Sequence, residues 1–207
     1  MKIAKESIPF ISINIILLLI FIIFNNISVI FLLFIILCFL LFFFRDPKRI
    51  INAEENSFLS AADGKIVEIK EINIDNKIYH KVSVFMSIFN VHINRAPFDG
   101  IVNEVVHIPG KFRFANKNLS VEDRERNIIE VKMEDNQYYL KQIAGFVARR
   151  TVFYPKTSEK IKKGEKIGII KFSSRVEHYI PNTFSLCIKI GEKAKAGITV
   201  LAKYPKS

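Results

Sequence analysis

The sequence predicts a mostly β domain, sandwich- or barrel-like, behind an N-terminal α-helical hairpin of transmembrane length. Three observations carry this reading. Positions 8 to 44 contain no charged residue, whereas the rest of the chain mixes apolar and charged residues throughout. After residue 50, short runs alternate apolar and polar side chains with a period of two, and none sustains the ~3.6-residue period of a helix. Turn-forming residues separate these runs at short intervals. The chain of 207 residues has room for one ordinary domain plus an anchor, divided here into an anchor, residues 1–44, and a β-rich domain, residues 45–207.

Within the anchor, Ile8 to Phe24 and Ile27 to Phe44 are two apolar runs separated by Asn25-Asn26. Each makes a helix of roughly 26 Å, close to the ~30 Å hydrocarbon core of a bilayer, while one continuous helix would be far too long. Two adjacent asparagines belong at a hairpin tip rather than at mid-membrane. Lys2 and Lys5 precede the first helix and Arg45, Lys48 and Arg49 follow the second. The positive-inside rule then places both ends, and the β domain, on the cytoplasmic face of the cell membrane. No small-residue cleavage site marks the segment as a removable signal peptide.

In the β domain, Lys65–Ile72 and Ile78–Phe85 alternate around a turn at Asp75-Asn76-Lys77. Ile128–Met133 and Tyr138–Ile143 flank a hairpin turn at Glu134–Gln137, and Phe184–Ile190 and Ile198–Ala202 close the chain as strands. Helices after residue 50 are expected to be short.

Two isolated cysteines, Cys38 and Cys187, exclude a disulfide framework, and the histidines and cysteines show no metal-ligand spacing. A net charge of +11 calls for an anionic partner. No nucleic-acid recognition motif is present, so an anionic lipid surface fits better, at about 1 kcal/mol per basic residue near the headgroups. The Gly-turn-strand Lys162–Gly168 also occurs in lipoyl- and biotinyl-type carrier domains, but no lysine sits in a recognisable modification motif.

Chemistry concentrates in a few places. Ser173 and Ser174 lie in Gly168-Ile-Ile-Lys-Phe-Ser-Ser-Arg-Val176, His92 in Phe89-Asn-Val-His-Ile-Asn-Arg-Ala-Pro97, and Asp63 in an Asp-Gly turn. A serine hydroxyl, a histidine to take its proton and an aspartate to orient that histidine are the parts of an activated nucleophile. An Asp-Gly pair alone is equally a common turn.

With Phe44-Arg-Asp-Pro47, Ala62-Asp-Gly64, Met86–Pro97, Pro109-Gly110, Glu125-Arg-Asn127, Gln142-Ile-Ala-Gly-Phe-Val-Ala-Arg-Arg150 and Phe172-Ser-Ser-Arg175, the chain resembles the phosphatidylserine decarboxylases. The likeness is to their short bacterial and archaeal form, from about residue 44 to 190. The resemblance implies a proenzyme whose serine attacks the preceding carbonyl and whose new N-terminus becomes a pyruvoyl group. Here that means a β chain of residues 1–173, an α chain of residues 174–207, and a pyruvoyl cofactor made from Ser174. Its ketone takes up the substrate amine and is the electron sink for loss of CO2.

The implied substrate is an anionic phospholipid with a serine headgroup, converted to the ethanolamine type at the membrane; a homodimer is left open. By resemblance His92 matches the family's catalytic histidine, there to take the Ser174 proton and then exchange a proton at the substrate carbon, a role that suits an imidazole because it ordinarily titrates near neutrality. Asp63 takes the role of orienting it, and Ser173 is the other half of the cleavage site. Arg95, Arg149, Arg150 and Arg175 lie in or beside matched motifs and suit a phosphodiester or carboxylate. His80, His107 and His178 match nothing specific and read as surface or strand residues.

Two departures stand out. Ser173 replaces the family's usual glycine, which costs backbone freedom at the bond to be attacked. Ala61 stands where the family often has proline. The alternatives are an uncleaved lipid-binding paralogue and a carrier-type β domain.

Overall fold

The computed structural model describes residues 2–110, 124–145, 150–171 and 174–205; Ser173 and Arg149 lie outside them. Met1–Lys48 and Arg49–Ser207 form two compact units, so the first runs four residues past the expected boundary.

The first unit is two helices, α1 (Ile8–Ile23) and α2 (Ile27–Phe43). Pro9 sits in the first turn of α1, where its missing N–H costs nothing. Asn25 turns the chain with φ 52°, a left-handed conformation that asparagine tolerates. Asn26 caps α2 by accepting the Val29 amide at 3.3 Å. Two short strands, β1 (Lys2–Ile3) and β2 (Arg45–Asp46), pair antiparallel and tie the ends of the hairpin together. Lys5–Ile23 is long and apolar enough to cross a membrane, and Ile27–Phe43 is shorter, at 17 residues.

The second unit is β throughout its described residues. Its strands are β3 (Ser57–Leu59), β4 (Gly64–Ile74), β5 (Lys77–Met86), β6 (Ile93–Arg95), β7 (Gly100–Ile108), β8 (Arg126–Lys132) and β9 (Gln137–Ile143). They continue as β10 (Arg150–Phe153), β11 (Lys160–Ile161), β12 (Lys166–Lys171), β13 (Ser174–Pro181), β14 (Ser185–Leu186), β15 (Lys193–Ala194) and β16 (Val200–Lys203). An eight-stranded antiparallel sheet runs β11-β7-β8-β9-β13-β5-β4-β15, beside two three-stranded sheets, β10-β12-β6 and β14-β16-β3.

The hairpins follow from their turn residues. Asp75 and Asn76, at φ 49° and 62°, form the two-residue loop between β4 and β5, a geometry that matches strand twist. β8 and β9 are closed by the Met133 amide on the Asn136 carbonyl at 2.7 Å. The strand expected over 184–190 is much shorter. Only Ser185–Leu186 pairs as β14, and the chain turns back at Gly191, whose φ of 96° no strand continues.

Alternation sorts the large sheet into two faces. Val82, Val84, Ile129, Val131, Leu140 and Val176 are buried on the inner one. Phe58 seals one part of the core, meeting Tyr138 and Phe184 edge-on at 5.2 and 5.7 Å between ring centres. On the other face Lys81 lies 3.1 Å from both Glu68 and Glu177, and Tyr179 donates to Glu177 at 2.7 Å. This lattice fastens β13 to β5 and β4 through side chains as well as backbone.

Candidate active site

Ser174 is the first residue of β13, the strand held between β5 and β9. Period-two alternation turns Ser174, Val176 and His178 to the inner face and Arg175 to the outer. Ser174 is 4% exposed and stands opposite Met86 of β5, to whose sulfur its hydroxyl donates at 3.2 Å. Thioether sulfur is a weak acceptor, so the hydroxyl is parked rather than firmly bound.

The segment leaving β5 builds the other half. Asn90 Oδ1 accepts from the Ser87 amide and from its hydroxyl, both at 2.8 Å, and the Asn90 amide returns to the Ser87 carbonyl at 3.0 Å. That tight turn presents the Asn90 carbonyl to Nδ1 of His92 at 2.9 Å. A carbonyl only accepts, so the assigned proton sits on Nδ1 and the lone pair on Nε2. His92 is 1% exposed. Its own carbonyl accepts the Ile170 amide at 3.2 Å, and Ile93 pairs with Ile169. One segment, Met86 to His92, therefore touches Ser174 at its start and the strand leading to Ser174 at its end.

Asp63 takes a different place from the one expected. Its Oδ2 is 2.7 Å from Arg49 Nη2 and its Oδ1 accepts the Ala196 amide at 2.8 Å. Nδ1 of His92 is held instead by a backbone carbonyl, which supplies the same tautomer control two residues away in sequence. The structure thus brings Ser174 and His92 to the two ends of one segment, and sets Asp63 on Arg49 and on the segment after Ser174.

Among the arginines in matched motifs, Arg95 is buried with Nη1 on the Gly164 carbonyl at 2.8 Å. Arg175 lies on the outer face, 3.9 Å from Glu68 and 4.0 Å from Glu177. Arg49, the partner of Asp63, counts in the sequence only as a basic flank of the hairpin; its position just behind the Phe44-Arg-Asp-Pro47 block is the signal for a site role.

His178 is a fully buried strand residue. Its Nε2 accepts the Ala61 amide at 2.8 Å and its Nδ1 faces the Val82 carbonyl at 3.1 Å. Burial pushes its pKa down to about 4, against smaller opposing effects of Val82 and Glu177. It is a neutral link between the nucleophile's strand and the turn carrying Asp63. The Ala61 departure acquires a physical meaning here, since a proline would have no N–H to give. The signal was an apolar-period position in β13 occupied by histidine.

The site thus sets a buried serine at a strand start and a histidine of fixed tautomer beside the preceding strand. A profile of the family described as phosphatidylserine decarboxylase matches residues 36–202. Proteins named phosphatidylserine decarboxylase proenzyme are similar over most of the chain. That of Ralstonia pickettii is 43% identical over 164 residues, 78% of this chain and 76% of that protein. Those of Syntrophus aciditrophicus and Desulfotalea psychrophila are 37% and 34% identical and align with 98% and 97% of this chain, covering 97% and 96% of their own lengths. The chain belongs to the phosphatidylserine decarboxylase family. It is by class a decarboxylase, a carbon–carbon lyase.

Proposed function

We propose that the chain is a membrane-anchored proenzyme that cuts itself between Ser173 and Ser174 and then decarboxylates a phosphatidylserine-type lipid to the phosphatidylethanolamine type. The observation that supports it most is the Met86–His92 segment, which contacts Ser174 and the strand before it at once. Nε2 of His92 takes the Ser174 proton, and Oγ attacks the carbonyl of residue 173. The peptide N–C bond breaks as the ester forms and the amine accepts the proton. Loss of the Cα proton of residue 174 to a base and breakage of its Cβ–Oγ bond then leave Oγ in a carboxylate on Ser173 and a double bond at the new N-terminus. The double bond shifts to carbon–nitrogen as the proton returns to Cβ, and water replaces the nitrogen, which departs as ammonia.

The residues fit a pyruvoyl group. Its atoms are those of Ser174, which begins a strand laddered on both sides, in a spot 4% exposed and walled by Met86. Bound there, the group supplies a ketone that draws electrons from the substrate's carboxyl-bearing carbon. His92 then handles the proton at that carbon, and its fixed tautomer orients it for either direction of transfer. Burial keeps water away from the carbon that loses CO2.

Cleavage need not release the 174–207 segment. β13 stays paired with β5 and β9, β15 with β4, and β16 with β3. Asp63 holds the Ala196 amide across the cut, and Arg49 holds Asp63; we assign the pair this clamping role. The helix hairpin, with its ends tied by β1 and β2 and its apolar side chains exposed, is the membrane anchor. Both ends then lie on one side, the cytoplasmic one by the flanking lysines and arginines.

The test is release of CO2 from vesicles of carboxyl-labelled phosphatidylserine by the full chain in lipid. We expect turnover by the parent and none by Ser174→Ala. Turnover by Ser174→Ala at the parent rate contradicts the reading.

A further inference from the structure

Three blocks that carry the family resemblance contain buried amide side chains with no part in the chemistry above: Asn94, Asn127 and Gln142. They are 1%, 4% and 2% exposed. The structure strings them together. Gln142 Nε2 donates to Asn94 Oδ1 at 2.8 Å, and Asn127 Nδ2 donates to Gln142 Oε1 at 3.0 Å. Asn127 Oδ1 meets Nδ1 of the exposed His107 at 2.7 Å. At the inner end Asn94 Nδ2 reaches the Ala61 carbonyl at 3.3 Å and lies 3.9 Å from the Met86 sulfur, the atom that Ser174 Oγ also contacts.

The direction of this chain is fixed by its inner end. The Ala61 carbonyl can only accept, so Asn94 must offer it nitrogen and turn oxygen to Gln142. Gln142 must then offer nitrogen inward and oxygen outward, and Asn127 likewise. Every amide orientation is thereby determined, and His107 is left donating from Nδ1.

The chain also crosses between sheets. His107, Asn127 and Gln142 stand opposite one another on β7, β8 and β9 of the large sheet, next to β13. Asn94 is on β6 of the other sheet, two residues beyond His92. The crossing is possible where Gly168 has no side chain: a Cβ there would lie 2.9 Å from Gln142 Nε2 and collide with the Val152 carbonyl. Ser174 begins a strand of the large sheet and His92 immediately precedes β6 of the three-stranded one, and this bridge joins those sheets beside them.

We propose that Asn94, Gln142 and Asn127 are positioning residues, an inter-sheet amide relay that holds β6, the strand His92 leads into, and the Met86 sulfur in register with Ser174. The inference rests on the self-cleavage reading above. The relay touches no reacting atom, and it acts by fixing the distance over which the proton and the attacking oxygen must pass.

The experiment follows loss of the full-length chain after cell-free synthesis into phosphatidylglycerol-containing vesicles, between pH 5.5 and 8. Gln142→Met keeps the volume and removes both hydrogen bonds; it should mature about tenfold slower than the parent at every pH. Gln142→Glu separates positioning from packing. Its neutral carboxyl can donate to Asn94 and accept from Asn127, whereas its ionised form repels Asn94 Oδ1, and burial brings that titration into range. The ratio of its rate to the parent's should climb about tenfold or more on going from pH 8 to 5.5. Asn127→Asp, one link further out, should show the same sign with a smaller amplitude, and serves if the variants at 142 do not fold. A flat ratio for the acidic variants, or parental speed for Gln142→Met, overturns the relay. A parent that stays at full length throughout overturns the self-cleavage reading itself, and the relay's role with it.

Discussion

His178 should make this protein acid-labile in a defined window. The imidazole is fully buried and donates from Nδ1 to Val82 while Nε2 accepts from the Ala61 amide. A proton on Nε2 would destroy that acceptor and place a charge in the core. Burial lowers the pKa from 6.5 to about 4. The unfolded chain therefore binds the proton near pH 6.5 and the folded chain only near 4. Stability is complete above pH 6.5 and falls as pH descends toward 4, since the unfolded state binds more protons there. At 1.36 kcal/mol per tenfold, the loss amounts to about 3 kcal/mol. The assay is urea unfolding of the uncut Ser174→Ala chain in non-ionic detergent, read by tyrosine fluorescence because the chain has no tryptophan. His178→Val leaves the Ala61 N–H unpaired and should cost about 1–3 kcal/mol at pH 7.5, yet lose the acid slope. Equal slopes for parent and variant between pH 6.5 and 4 would refute the reasoning. Glu68, whose pKa is held near 2 chiefly by Lys70, contributes stability that is lost as pH falls below about 4.5, where the unfolded chain takes up the proton; this acts equally on parent and variant at the acid edge of the window, so their difference reports His178.

Three further outcomes are expected. Ser173→Gly should mature at least as fast as the parent and Ser173→Val more slowly, because backbone freedom at the attacked bond decreases in that order; a gel time course after cell-free synthesis decides it. Gly64→Ala forces a Cβ against the Phe85 carbonyl and Val84 where β4 begins, and should lower stability by about 2–4 kcal/mol in the same urea assay. In a Cys38→Ser background the exposed Cys187 should stay unlabelled by a membrane-impermeant maleimide in intact cells and react after lysis; labelling from outside contradicts a cytoplasmic β domain.

Much of the architecture was readable because its signals are local. Asp75-Asn76 fixed a hairpin by left-handed propensity, and Asn25-Asn26 fixed another between two apolar helices. The strand over 184–190 was overextended because its apolar run does not reveal that Gly191 turns the backbone. Ser174 and His92 stood out by their surrounding residues. The sequence points to Asp63 as the histidine's orienter because a carboxylate is the usual choice, and nothing in it shows that the Asn90 carbonyl, two residues from His92, meets Nδ1. Arg49, His178 and the Asn94–Gln142–Asn127 chain depend on contacts between residues 14 to 117 positions apart, which no window along the sequence contains.

The most direct test of the central claim is the intact mass of the freshly purified parent after denaturation. The account predicts two species: residues 1–173 ending in a carboxylate, and residues 174–207 lighter by one ammonia than the unmodified segment, with Ser174→Ala remaining a single full-length species. A catalytically active parent that gives one mass for the whole 207-residue chain would contradict it.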